Sequence, residues 1–335
     1  MSVSHSASST DMSLSGRDSD LSTNATTPLA SERSLGEQLC GGSLLVAVTG
    51  GVGTAASVAV ASALEDRYAP EVSAIQVIDI SDAPLLAPLP SMFTLARDMI
   101  GDAPYAEDAR ARRRQFSELL GKPNEWPVHI GLGSPAHEIL RCAEGHGAAL
   151  IVMGLRRHGV ADRVLHDETT LTVARRAHGA VLGIVPDSRG LPHIAVVGVD
   201  FGPASLRAAR AALDVLARPT PGGPAMLRLV YVDANVFSGT REETAGEALV
   251  HRLGVKAAFE LLVAELDAPR DVVVDWTVAE GPTASALLGF ATESRADLVA
   301  VGSLRHERLE RWILGSVTTE VVRDGRCSVL VIPPR

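Results

Sequence analysis

A gap-free internal repeat constrains this chain more than any other feature. A shift of 148 residues lays Gly133 on Gly281 (281 − 133 = 148), Gly154 on Gly302, and Val181-Leu182 on Val329-Leu330. Each copy alternates short apolar runs with amphipathic stretches. Runs such as Ala149–Met153 carry no polar residue, the pattern of strands buried on both faces. Strands alternating with helices build parallel sheets through right-handed crossovers. The chain therefore reads as one α/β unit used twice, and 335 residues accommodate two domains of ordinary size.

In the first copy the expected strands are Leu44–Val48, Val72–Ile80, Val128–Leu132, Ala149–Met153 and Val181–Val185. Its expected helices are Ala55–Leu64, Pro135–Gly145 and Leu171–Ala177. An insert from Ser81 to about Pro127 carries a further expected helix, Tyr105–Leu120. There Arg110, Arg112, Arg113 and Arg114 stand among Glu107, Asp108 and Glu118, which reads as a solvated face and not as a basic site. The second copy offers strands at His193–Val199, Leu227–Val232, Val272–Val278, Asp297–Val301 and Ser328–Ile332. Helices are expected at Pro203–Ala217, Gly246–Leu266 and Pro282–Ser294. A last helix opens at Gly315-Ser316, with the Ser316 hydroxyl as its N-cap, and closes at Gly325. The expected divisions are a tail over 1–40, a first domain over 41–186, a linker over 187–192 and a second domain over 193–335. Ser, Thr and Asp dominate the tail, which buries too little to offset its ordering entropy and is expected to be disordered.

Charge and cysteine usage narrow the function. A net charge of −9 argues against nucleic acid or an anionic membrane as partner. Gly41–Leu64 is uncharged, but Thr49-Gly50-Gly51-Val52-Gly53-Thr54 breaks it into a strand, a turn and a helix too polar for a bilayer span. A soluble, cytoplasmic protein is expected. Cys40, Cys142 and Cys327 lie far apart without CxxC or Cys/His ligand spacing, so they read as reduced thiols, with no structural zinc and no metal site. The glycine turn lacks the lysine of a Walker loop. No Ser/His/Asp or paired-carboxylate constellation marks a hydrolase, and no catalytic residue is assigned.

The most informative stretch is Ala296–Arg335, a strand, a polar loop, a helix and a strand with small residues at both ends of the loop. Ligands of open α/β sheets sit at the carboxyl ends of strands, and free amides at a helix N-terminus attract phosphate. Gly302 followed after the loop by Gly315-Ser316 resembles the G-x2-G-x9-G-(S/T) signature of ATP-binding universal stress proteins. The flanking DLVAVGS and ILGSVTTEVVRDGRCSVLVIP are similar to the same family. The resemblance implies two tandem doubly wound parallel sheets of the adenine nucleotide α-hydrolase-like kind, packed as a pseudo-dimer. Their final strands, from Val181 and from Val329, are expected to pair within one chain. It also implies an adenine nucleotide, ATP, as ligand, and leaves room for Mg2+, for slow hydrolysis, and for a homo-oligomer or a regulatory protein partner. The role implied is regulatory or protective.

Carried over by position, the resemblance assigns Asp200 to the ribose side of the nucleotide and the Val232 backbone to adenine. Gly302, Gly315, Ser316 and Val317 would line the phosphates. Arg305 stands where the family has its middle glycine, so it either adds a charge-assisted phosphate contact or blocks close backbone approach; Arg308 and Arg311 recur at the same spacing. The first copy differs. It has Thr49 in place of Asp200, and Asp167-Glu168 in place of Gly315-Ser316. Two carboxylates facing a polyanion at about 4 Å cost on the order of a few kcal/mol, so one site is expected, in the second copy. Two other readings stand beside this one: a nucleotide-free interaction module of the same fold, which Arg305 favours, and an ATP-pyrophosphatase or ligase. The glycine turn loosely resembles the S-G-G-x-D-S loop of such enzymes, but Gly53 replaces its aspartate.

Overall fold

The structure, a computed structural model, describes residues 33–48, 53–78, 114, 118, 126–155, 167–218, 223–233, 245–303 and 315–334. Along them run α1 (Leu35–Leu39), β1 (Ser43–Val48), α2 (Gly53–Tyr68), β2 (Glu71–Ile78), β3 (Val128–Leu132), α3 (Pro135–Gly145), β4 (Ala148–Gly154), α4 (Asp167–Arg176) and β5 (Ala180–Ile184). The second copy follows as β6 (Ile194–Val199), α5 (Pro203–Val215), β7 (Ala225–Asp233), α6 (Ala245–Leu266), β8 (Val272–Glu280), α7 (Thr283–Glu293), β9 (Leu298–Gly302), α8 (Ser316–Asp324) and β10 (Ser328–Ile332). The 148-residue shift holds at the level of backbone: α3 maps onto α7, and β5 onto β10, end to end. Gly133 and Gly281, one shift apart, close the same strand-to-helix turn at φ +123 and +116, in the region that favours glycine.

The strands join in one ten-stranded sheet, in the order β3-β2-β1-β4-β5-β10-β9-β6-β7-β8. Within each copy the pairs are parallel. Where the copies meet, β5 and β10 run antiparallel, with Leu330 opposite Leu182, Val331 opposite Val181 and Val329 opposite Gly183. Leu330 is the repeat counterpart of Leu182. A residue paired with its own counterpart lies on a two-fold axis, so the halves are related as the subunits of an isologous dimer are. The expected intrachain pairing is thus found, and it covers two strand edges that would otherwise expose unpaired amides.

One apolar cluster, including Leu45, Ile75, Ile139, Leu140, Ile151 and Val181, fills the first copy. The second cluster crosses the axis: Leu171 and Ala174 of α4 pack with Val196, Val299, Val321 and Val329. The first copy therefore completes the core of the second.

One expectation is corrected. Residues 33–40, read as the end of a disordered tail, contain α1. Ser34 and Glu37 form a reciprocal capping box there. Leu35 is 5% and Leu39 0% exposed. The Gly36 amide donates to Asp214 Oδ2 of α5 at 2.8 Å, and Tyr68 of α2 donates its hydroxyl to the Asp214 carbonyl at 2.8 Å. Burial raises the Asp214 carboxyl above its ordinary value, against the Gly36 amide, which lowers it. Residues 1–32 lie outside the described residues. So does the expected helix Tyr105–Leu120, except Arg114 and Glu118, which are helical and exposed. Among the described residues no helix is long and apolar enough to cross a membrane.

Candidate nucleotide site

In the second copy the chain moves outward from β6 to β7 and β8, then returns to place β9 on the other side of β6. The crevice between β6 and β9 is the switch point at which open α/β sheets bind ligands. Val199 pairs with Tyr231 and Val197 with Ala300. One step further along, Asp200 comes beside Val232, and Gly302 lies level with Val199. Three of the expected site residues thus form a row across the carboxyl ends of neighbouring strands.

Asp200 is exposed, and its Oδ1 accepts the Gly202 amide at 2.9 Å. Gly202 caps α5, and its carbonyl accepts the Ser205 hydroxyl at 3.0 Å. The turn thereby aims the Asp200 carboxylate outward, with acceptor capacity remaining for a ligand hydroxyl. Phe201 between them is left-handed at φ +60, a strained position for a bulky residue. Its ring stacks on Tyr231 at 5.1 Å and meets Phe259 edge-on at 4.9 Å. Phe259 in turn stacks on Trp276 at 4.5 Å. This aromatic ladder holds the strained turn, and the sequence reading missed it because its members are far apart in the chain.

At Gly302 a Cβ would fall 2.3 Å from the Ala204 carbonyl oxygen, so glycine lets the first turn of α5 lie against the end of β9. Gly154 has the same relation to Gly53 in the first copy, each meeting the other's backbone at 3.3 Å. Val232 is half-buried against the core cluster of the second copy, as is Val317. Their side chains are committed to packing, and only their backbones are offered to a ligand. The next residue after Val232, Asp233, is 5% exposed and lies 2.8 Å from His251 Nε2 of α6, a contact that ties α6 to the carboxyl end of β7. Burial, then the Asp233 charge, pushes the Tyr231 hydroxyl up from its ordinary value.

The helix α8 begins one residue earlier than expected. Gly315 is its N-cap, with no side-chain cap, and Ser316 is its exposed first residue. The expectation that the Ser316 hydroxyl caps the helix is corrected accordingly: a cap must stand outside the helix, and Gly315 occupies that place. No acidic residue lies in the first turn of α8, so its free amides and positive dipole end are unopposed. The corresponding helix α4 starts with Asp167 and the exposed Glu168. A second asymmetry lies beneath. Ser205 Oγ is bonded, whereas Thr54, at the same place in α2, is 3% exposed and its Oγ1 has no hydrogen-bond partner among the described residues. Arg305, Arg308, Arg311 and Thr49 lie outside the described residues.

The universal stress protein family model matches residues 42–184 and again residues 193–333. A universal stress protein of Methanocaldococcus jannaschii is 29% identical over 152 residues, covering 44% of this chain and 86% of that protein. Among solved structures, a universal stress protein of Archaeoglobus fulgidus superposes with a TM-score of 0.56 at 18% identity, over 87% of this chain and 98% of its own. At that identity the superposition speaks for the fold.

Proposed function

Because this chain belongs to the universal stress protein family, through two successive copies of the family unit, we propose that it binds one adenine nucleotide, ATP, in its second copy. The observation that carries the reading is the row Asp200, Val232 and Gly302 at the β6/β9 switch point, together with an α8 N-terminus free of acidic residues. Adenine would lie against the Val232 backbone, with the ribose hydroxyls on Asp200. The phosphates would run from Gly302 to the amides of Ser316 and Val317, with Arg305 adding charge and Mg2+ as a counter-ion. Nucleotide occupancy would regulate contacts with a protein partner in a stress response; turnover is at most slow. The acids that open α4 argue against a second site in the first copy.

Calorimetric titration of the full chain with ATP tests this. The expected stoichiometry is one per chain, with affinity lowered by Asp200→Ala and unchanged by Asp167→Ala. A stoichiometry of two would refute the asymmetry. Absence of binding would refute the nucleotide reading and favour an interaction module of the same fold.

A further inference from the structure

On the opposite, amino-end side of the sheet, a second cluster has no part in the nucleotide site. His129 is the second residue of β3, the edge strand of the first copy. Its neighbour two positions on, Gly131, shows which face this is, because a Cβ there would meet the Glu138 side chain of α3 at 2.9 Å. Alternation along a strand puts His129 on the same face, under α3. Cys142 and His146 lie four residues apart at the end of that helix, the spacing that stacks two side chains on one face. One ring nitrogen from each histidine and the Cys142 Sγ all lie within 4.8 Å of one another. Among the described residues this is the one group of three His, Cys, Asp or Glu side chains so converged.

We propose that His129, Cys142 and His146 form a zinc site that ties the edge strand β3 to the end of α3. Two imidazoles and a thiol are the donor set that zinc takes tetrahedrally, at about 2.0–2.1 Å for nitrogen and about 2.3 Å for sulfur. Tetrahedral angles then separate ligand atoms by roughly 3.3–3.8 Å. The three ligand atoms, within 4.8 Å of one another, would draw in by about 1 Å to reach those separations. The rings of His129 and His146 meet at 4.6 Å between centroids. His146 Nδ1 lies 2.8 Å from the Cys142 carbonyl. As a donor to that carbonyl it leaves Nε2 with the lone pair, the form in which a histidine ligates. The end of α3 also has no basic residue in its last turn, so its carbonyl dipoles favour a cation there. Cys142 is buried and His146 exposed, which leaves the fourth coordination position to water.

The test uses the full chain, reduced and without nucleotide, titrated with zinc chloride and, for spectroscopy, cobalt chloride. One tight metal per chain is expected, with a thiolate-to-cobalt charge-transfer band and the d–d bands of tetrahedral cobalt. Cys142→Ser should abolish the charge-transfer band, while Cys40→Ser and Cys327→Ser leave it intact. His146→Ala, at an exposed position where folding is not at risk, should weaken zinc affinity at least about tenfold. Metal should also raise the melting temperature of the wild type and not that of His146→Ala. Absence of the thiolate band, or zinc affinity unchanged in His146→Ala and Cys142→Ser, overturns the assignment and leaves the cluster as ring packing.

Discussion

Substituting Gly315→Asp separates binding from folding, because the two should move in opposite directions. A Cβ at Gly315 meets nothing within 4 Å, and its φ of −58 is open to any residue. Aspartate is a favoured N-cap, better than glycine by a few tenths of a kcal/mol, and its charge at the positive end of α8 adds about 0.3–1 kcal/mol. The unliganded variant should therefore melt about 1–2 °C higher than wild type, since about 1 kcal/mol moves a chain of this size by a few degrees. For a phosphate at about 4 Å, the same carboxylate costs about 4 kcal/mol at an effective dielectric near 20. Gly315 is exposed, and solvent screening reduces this to about 2 kcal/mol. The aspartate would also occupy an amide that the phosphate needs. ATP affinity should fall at least about 30-fold, read by calorimetry beside a thermal melt. Undiminished binding would refute the placement of phosphate at α8. Loss of both binding and stability would refute the cap geometry from which the magnitude is drawn.

Further outcomes follow from the packing. Truncation before Arg33 should leave the melting temperature unchanged, whereas truncation before Gly41 should lower it by several degrees. The second cut removes Leu35 and Leu39 from burial, each worth about 1.5–3 kcal/mol before the ordering entropy of α1 is returned. Gly302→Ala should destabilise by about 2 kcal/mol or more, because its methyl group meets the Ala204 carbonyl at 2.3 Å and the α5 turn must shift; ATP affinity should fall with it, as measured by denaturant melts and calorimetry. Burial, then the Asp214 charge, pushes the Tyr68 hydroxyl up from 10.0 to about 12. Its folded value lies above its unfolded one, so this contribution is complete below about pH 10 and is lost as pH rises through about 12. Tyr68→Phe should flatten that alkaline loss in urea melts and cost about 1 kcal/mol at neutral pH through the missing bond to Asp214.

What the chain discloses in one dimension is what local rules determine. Val128–Leu132, Pro135–Gly145 and Ser328–Ile332 were legible to the residue, because glycine, proline and apolar runs mark their ends. Sequence reading placed the cap of α8 one residue late, at Ser316 instead of Gly315, within the ordinary uncertainty of helix ends. It missed α1, although Ser34 and Glu37 carry the capping-box signal. Serine-rich composition outweighed that signal, and the surface that buries α1 comes from Asp214 and its neighbours, 178 residues away. Asp200, Val232 and Gly302 were singled out through the family resemblance, and the strand order brings them into one row. The Phe201 ladder, the Asp233–His251 contact and the His129–Cys142–His146 cluster were not legible. The first two join strands or turns to a helix from elsewhere in the chain; in the third, Cys142 and His146 are four residues apart, but only the fold brings His129 of β3 under them.

The asymmetry between the copies at the helix N-termini sits beside a structural dependence of the second copy on the first. Separated from it, β10 would expose the edge that now pairs with β5, and such an edge invites association with another chain. The second copy would also lose Leu171 and Ala174 of α4 from its core cluster, beside Val321 and Val322 of α8. These contacts lie on the inner face of the helix whose N-terminus is proposed to hold phosphate. The first copy can therefore carry acids at the start of α4 without giving up its part in the core against which α8 packs. The two copies thus share the buried face of this helix pair and differ at its N-terminal residues, Gly315-Ser316 against Asp167-Glu168.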